Sequence, residues 1–279
     1  MHPVRILAFV VNADKGGACE LADELTAIAR RAGVRFKRTA RFPLRKGYLN
    51  GCDACCVIGG DGTLLGVAEE AARLQVPIIG INRGTLGFLT TLSAEEARIH
   101  FHEILEGRFR VDYRAMLECK THEGPRHLAL NDVLLKDEIN TRLVRLEVFA
   151  GDELVTEYLC DGLILSTATG STAYNLSAGG PIIHPGSDVI AMTPICPHTL
   201  TNRSIIFRDN VHLRVFNRSA NSRMILSVDG RLEMRAGPGM PVEIRLAKIR
   251  LPLALHRDFS YFSVLRTKLK WSGGVAERK

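Results

Sequence analysis

Residues 54–74 read ACCVIGGDGTLLGVAEEAARL. The run Ala54 to Ile58 is short, apolar and closed by glycines, the pattern of a strand buried on both faces. From about Leu64 to Leu74, apolar positions recur at helical spacing. A buried strand passing through a glycine turn into a helix is the repeating step of a parallel α/β sheet. At the turn stand Gly59, Gly60, Asp61, Gly62 and Thr63. Glycines there let backbone amides come close to an anion, and the following helix aims the positive end of its dipole at the same spot. The loop has neither the lysine of a Walker A motif nor the spacing of a dinucleotide fingerprint. A carboxylate beside a phosphate repels it unless it holds a metal or removes a proton, so Asp61 is either a chemical group or the cap of an ordinary glycine turn.

Working outward, Val4 to Val11 predicts a strand, and Leu21, Leu25, Ile28 and Ala32 predict an amphipathic helix stopped at Gly33. Val34 to Arg38 and Val76 to Ile81 predict further strands. Ser93 and Glu96 form a capping box ahead of a helix that buries Ala97, Phe101, Ile104 and Leu105. This α/β rhythm ends near Arg110. Beyond it, Val144, Leu146 and Val148 alternate with Arg145 and Glu147, and Gly151–Asp152 turns into a second run from Leu154 to Leu159. Val211, Leu213 and Val215, then Val242, Ile244 and Leu246, repeat the alternation, so the second half predicts antiparallel sheet. Two closely packed domains are expected, with ligands favoured in the cleft.

With 279 residues and 46% hydrophobic content the chain can bury two modest cores. The charge of +7, from 37 Lys and Arg against 30 Asp and Glu, is mild and scattered, which predicts a solvated basic surface and no nucleic-acid binding. Val4 to Val11 is too short for a signal peptide and no later run is expected to span a membrane. Seven cysteines without an export signal predict a reducing, cytoplasmic setting. Cys52, Cys55 and Cys56 lack a second ligand pair and read as small apolar residues of a buried strand. His184 and His198 have no partner at metal-ligand spacing, so no residue is assigned as a ligand of a resident metal.

Three further segments carry chemistry. Asn82 to Leu89, NRGTLGFL, places a second glycine loop after a strand, where open α/β sheets bind ligands, with Phe88 either stacking on a base or joining the core. Asn131 and Asp132 lie within a strand-like run from Leu128 to Lys136, where neighbours point to opposite faces and an asparagine amide suits an adenine edge or a ribose hydroxyl. Asp161 to Gly180 runs an apolar strand into a loop dense in hydroxyls and glycine, open to a ligand lying against the backbone. Asp229–Gly230 reads as a hairpin turn.

Together, and in this order, GGDGT at 59–63, NRGTLGFL at 82–89, Asn131–Asp132, DGLILSTATGSTAYNLSAGGP at 161–181 and FSVLRTKLKWSG at 262–273 resemble the NAD kinase family. The resemblance covers nearly the whole chain. GGDGT alone is shared with diacylglycerol kinase and phosphofructokinase relatives; the hydroxyl-rich segment and the tail are more specific. The resemblance implies an N-terminal Rossmann-like parallel α/β domain over 1–110, a C-terminal β-rich, sandwich-like NAD-binding domain over 111–258, and a tail over 259–279 that returns to the first domain.

By the same carry-over, Asp61 is the catalytic base or a metal ligand, and Gly59, Gly60, Gly62 and Thr63 form the nucleotide loop. Phe88, Asn131 and Asp132 contact adenosine. Thr169, Thr172, Ala173, Tyr174, Asn175, Leu176 and Ser177 line the NAD pocket. Asp161 reaches the nicotinamide half, across a subunit contact in one arrangement, and Arg142 and Arg231 match ligand-contacting positions. The implied reaction transfers the γ-phosphoryl of ATP, with polyphosphate as an alternative donor, to the 2′-hydroxyl of the adenosine ribose of NAD, with Mg2+ or another divalent cation accompanying ATP. A homodimer or homotetramer is implied. The family usually has proline where Ala168 stands, which bears on loop rigidity alone. The rival readings are a lipid or sugar kinase with the same GGDGT loop and a non-catalytic NAD(P) sensor.

Overall fold

The computed structural model describes residues 2–41, 44–84, 87–122, 124–139, 142–199, 201–219, 223–237 and 239–271. Thr85 and Leu86 of the second glycine loop, and Ser272 and Gly273 of the tail segment, lie outside the described residues. The chain divides into two compact units, one made of Met1–Asp112 and the chain from Pro252 on, the other of Tyr113–Leu251.

The first unit opens with β1 (Ile6–Val11), α1 (Ala18–Arg31), β2 (Arg35–Thr39), β3 (Ala54–Gly59), α2 (Asp61–Leu74), β4 (Ile78–Asn82), β5 (Leu92–Ser93), α3 (Ala94–Leu105) and β6 (Arg110–Arg114). As the apolar runs predict, β1 and β3 are almost wholly buried, and β1 pairs in parallel with both β2 and β3, which pairs in parallel with β4. One face of the sheet supplies Phe9, Cys56, Ile58 and Ile79 to a core completed by Leu21, Leu25 and Ala29 of α1 and Phe101 and Leu105 of α3. Ser93 Oγ accepts from the Glu96 amide and Glu96 Oε2 from the Ser93 amide, so the capping box starts α3 as predicted. α2 packs on β3 and β4 and begins at Asp61, earlier than the apolar spacing alone indicates, because Gly60 serves as its N-cap without any side-chain cap.

The second unit runs β7 (Leu117–Thr121), β8 (His127–Ala129), β9 (Asp132–Asp137), β10 (Val144–Ala150), β11 (Glu153–Cys160), β12 (Gly162–Thr167), a 3-10 turn (Thr169–Thr172), α4 (Tyr174–Ser177), β13 (Val189–Ile195), β14 (Ile205–Arg208), β15 (His212–Asn217), β16 (Met224–Val228), β17 (Leu232–Ala236) and β18 (Pro241–Leu246). These make two six-stranded sheets, β11-β10-β15-β18-β7-β8 and β14-β13-β12-β9-β16-β17. Their inner faces meet in one core, Val144, Leu146, Val148, Leu213, Val215, Val242 and Ile244 from the first sheet against Val133, Leu135, Leu163, Leu165, Met192 and Leu226 from the second. The period-2 alternation is therefore the signature of a β-sandwich whose sheets each bury one face.

The chain re-enters the first unit at Pro252, ahead of the boundary expected near 259. β19 (Leu251–Leu255) inserts between β4 and β6, parallel to β4, and α5 (Tyr261–Leu269) follows. β19 is buried along its full length, as a central parallel strand must be.

Candidate active site

In the first unit, the carboxyl ends of β3 and β4 carry the two glycine loops. Asp61 is the first residue of α2, and its carboxylate turns to the second loop. Phe88 N–H donates to Oδ2 at 2.9 Å, while Leu89 N–H at 3.2 Å, Thr90 N–H at 2.9 Å and Thr90 Oγ1 at 2.8 Å all donate to Oδ1. Asp61 therefore does not cap its own helix; it binds the two loops together. Asn82 Nδ2 donates to Thr90 Oγ1 at 2.7 Å and orients that hydroxyl. Neither Thr90 nor Asn82 stands out in the sequence as a positioning residue, because both matter only once the loops fold against each other. Gly87 is required by the same closeness: a Cβ there would stand 2.0 Å from Asp61 Oδ1 and 2.6 Å from Thr90 Oγ1.

Gly59 ends β3 against Thr63, which accepts from Asn12 Nδ2 at 3.1 Å. Gly60 and Gly62 have open space where a side chain would stand. Phe88 is half-buried with its ring 6.3 Å from that of Tyr261 on α5.

In the second unit, Asn131 and Asp132 do not lie in one continuous strand, which corrects the expected run from Leu128 to Lys136. The strand breaks between β8 and β9, with Asn131 in the break and Asp132 opening β9. The cause is Asp229, whose carboxylate accepts three successive amides: Leu130 N–H at 2.9 Å, Asn131 N–H at 2.7 Å and Asp132 N–H at 3.1 Å. Asp229 and Gly230 have φ of 50° and 64°, so they do make the expected tight turn, leading from β16 into β17. The turn residue has a second task that turn chemistry alone does not show.

The hydroxyl-rich loop packs against this break. Thr167 N–H and Ser166 Oγ donate to the Asn131 carbonyl at 2.9 and 3.2 Å, and Thr167 Oγ1 to the Leu130 carbonyl at 2.6 Å. Gly170 approaches so closely that a Cβ would stand 2.1 Å from the Asn131 carbonyl oxygen. Several of the hydroxyls thus hold the loop itself and are not free for a ligand. Asn175 is fully buried, its amide nitrogen donating to the Ser171 and Pro181 carbonyls and its oxygen accepting from Thr193, so it fixes the loop from behind. Tyr174 and Ser177 are exposed, Thr172, Ala173 and Leu176 half-buried, and the shielded Thr169 hydroxyl has no protein partner. Ala168 has φ −58° and ψ −37°, within the range a proline ring would impose, so the alanine leaves the turn's shape intact.

Asn131, Asp132, Asp229, Arg231 and the loop 167–177 thus share one end of the β9–β12–β16 sheet. Asp161 and Arg142 do not join them. Gly162 pairs with Lys136, so Asp161 and the turn after β9 that carries Arg142 lie at the opposite end of β12. A strand of that length separates the two ends by about 20 Å.

Burial pushes the Asp132 carboxyl up to about 7, with neighbouring Asp229 adding to the rise. Burial likewise lifts Asp229 to about 6, against the pull of its three amides and Arg231. Both values exceed the ordinary carboxylate value of 3.8, so the stability these groups contribute is complete below that pH and is lost as pH rises through 6 to 7. Replacing Asp132 by Asn should therefore stabilise the protein at pH 8, by on the order of 3 kcal/mol, and change little at pH 4. Urea denaturation at the two pH values measures this; equal effects of the substitution at both would refute it.

The ATP-NAD kinase N-terminal domain family matches residues 44–109 and the ATP-NAD kinase C-terminal domain family residues 130–254. The NAD kinase of Geobacter sulfurreducens is 43% identical over 223 residues, 78% of each chain. That of Azotobacter vinelandii is 41% identical over 225 residues, 79% of this chain and 76% of the relative. Among solved structures, yeast NADH kinase complexed with NADH superposes with a TM-score of 0.89 at 24% identity, covering 99% of this chain and 90% of that one. An NAD kinase from Archaeoglobus fulgidus in complex with ATP gives 0.81 at 24% identity, covering 95% and 98%. The two structures share the fold; the sequence relatives, matched over most of the chain at about two residues in five, share descent, and the chain belongs to the NAD kinase family.

Proposed function

We propose that the chain transfers the γ-phosphoryl group of ATP to the 2′-hydroxyl of the adenosine ribose of NAD, giving NADP, with Asp61 as proton acceptor. The observation that carries this reading is the unequal use of the two carboxylate oxygens. Oδ1 accepts three hydrogen bonds and Oδ2 one. Oδ2 keeps a lone pair for the ribose O–H, while Oδ1 locks the orientation. The ribose proton passes to Oδ2 as the oxygen attacks the γ-phosphorus and ADP leaves. The GGDGT loop at the α2 N-terminus receives phosphate oxygens. In the second unit, the Asn131–Asp132 break with Tyr174 and Ser177 holds the adenosine.

The residues fit a Mg2+ ion travelling with ATP. With Asp61 Oδ2 given to the ribose proton, the loop offers the ion the Thr63 hydroxyl, and no group of three or more His, Cys or carboxylate ligands gathers there among the described residues. That suits an ion held chiefly by phosphates and water. When bound, Mg2+ offsets charge on the phosphate oxygens.

Incubation with ATP, Mg2+ and either NAD or NADH, followed by assay of NADP(H), tests the reading; phosphorylation of a diacylglycerol or sugar in place of both would overturn it. Gly87→Ala should lower turnover by about a hundredfold, because its methyl group displaces the Asp61 carboxylate. Near-normal turnover by a folded Gly87→Ala protein would count against the geometry assigned to Asp61.

Asp161, at the far end of β12, serves the nicotinamide half of NAD bound to a second copy in a homodimer or homotetramer. Sedimentation should show no active monomer. No helix among the described residues is long and apolar enough to cross a membrane. The seven cysteines are free thiols, which supports a reducing, cytoplasmic setting.

A further inference from the structure

Away from the glycine loops, the first unit gathers a group of side chains that phosphoryl transfer does not use. His100 and Glu103 stand one turn apart on α3, and His256 follows the last residue of β19. One ring nitrogen of each histidine and one carboxylate oxygen of Glu103 lie within 4.8 Å of one another. The two imidazole rings have centroids 4.4 Å apart. His100 Nδ1 is shielded from solvent, has no hydrogen-bond partner, and stands 3.7 Å from Glu103 Oε1, too far for a hydrogen bond. A desolvated ring nitrogen without a partner is costly unless something binds it. Asp258 Oδ2 lies 3.6 Å from His256 Nδ1, and His102 Nε2 lies 4.0 Å from Glu103 Oε1, so further donors flank the group.

We propose that His100, Glu103 and His256 form a binding site for a transition-metal ion, zinc on the chemistry of the donors. Two imidazole nitrogens and one carboxylate oxygen suit zinc and its neighbours, whereas Mg2+ and Ca2+ call for oxygen donors alone. Tetrahedral zinc with bonds of about 2.0–2.1 Å sets its ligand atoms about 3.3 Å apart, a closure that small side-chain rotations supply. Asp258 is placed to orient the His256 ring or to take the fourth position. The ion fastens α3 to the segment that leaves β19 for α5. It thereby steadies Tyr261, whose ring packs on Phe88, the residue whose amide holds Asp61.

The test uses the full chain, stripped with EDTA and desalted. Cobalt(II) should bind one per chain with the visible absorption of a four-coordinate site, and zinc chloride should raise the melting temperature by about 5 °C at saturating ion, while Mg2+ alone should not. Glu103→Gln and His256→Ala should each weaken cobalt and zinc binding by about tenfold or more, and His122→Ala, on the other unit, should leave it unchanged. Glu103→Gln keeps the size of the side chain and decides the matter if His256→Ala does not fold. Wild-type protein without a zinc shift and without cobalt bands, or a Glu103→Gln protein that binds as tightly as wild type, overturns the site; the histidines then merely stack.

Discussion

Asp61→Asn is expected to lower NADP formation by about a hundredfold or more while the protein stays folded. The amide keeps the size of the side chain but removes the group able to take a proton. It also presents an N–H to a pocket made of donors: the amides of Phe88, Leu89 and Thr90 and the Thr90 hydroxyl all point at this carboxylate. Asparagine can satisfy them with one oxygen only. Some loss of stability should therefore accompany the loss of turnover, and Thr90→Ala separates the two effects, since it removes a donor without touching the base. Turnover should fall far less in Thr90→Ala than in Asp61→Asn. Equal losses would mean that Asp61 only fastens the loops, and an active Asp61→Asn enzyme would remove it from the chemistry altogether.

Asp229→Ala should destabilise the second unit by about 3–5 kcal/mol, because three buried or half-buried amides lose their acceptor at once. The alanine is also asked to hold φ near 50°, which its methyl group opposes. Asp229→Asn, which tolerates that backbone and keeps one acceptor oxygen, should lose roughly half as much. Both should raise the KM for NAD more than they lower kcat, since the Asn131 break is held open by this side chain. Urea denaturation and steady-state kinetics on the pair measure the two effects, and an Asp229→Ala protein as stable as wild type would show that the break persists without its acceptor.

Much of this molecule was legible from its amino-acid order, for identifiable reasons. Buried parallel strands such as Ala54–Gly59 and Ile78–Asn82 show as unbroken apolar runs, and the Ser93–Glu96 box marks its helix because capping is local. The sandwich announced itself through alternation at Val144–Val148 and Val242–Leu246, since each sheet buries one face. The Asn131 break was hidden because its cause, Asp229, lies far along the chain and looks like any Asp-Gly turn. Thr90, Asn82 and Gly87 were hidden for the same reason: their roles exist only where two loops meet. Abundant hydroxyls in 166–177 suggested ligand contacts throughout, yet Ser166, Thr167 and Ser171 spend theirs on main-chain carbonyls. The grouping of His256 with His100 and Glu103 carries no spacing signal, because tertiary folding alone creates it.

The placement of β19 between β4 and β6 has a consequence for how the protein is made. As the nascent chain leaves the ribosome, α1 to β6 emerge with a gap in their sheet that is filled only after the whole sandwich has been synthesised. Until then the Ile78–Ile79 stretch of β4, which β19 later pairs, offers an uncovered edge, the kind of surface on which premature association starts. Synthesis halted upstream of Leu251 should yield an aggregation-prone product and not a smaller independent domain.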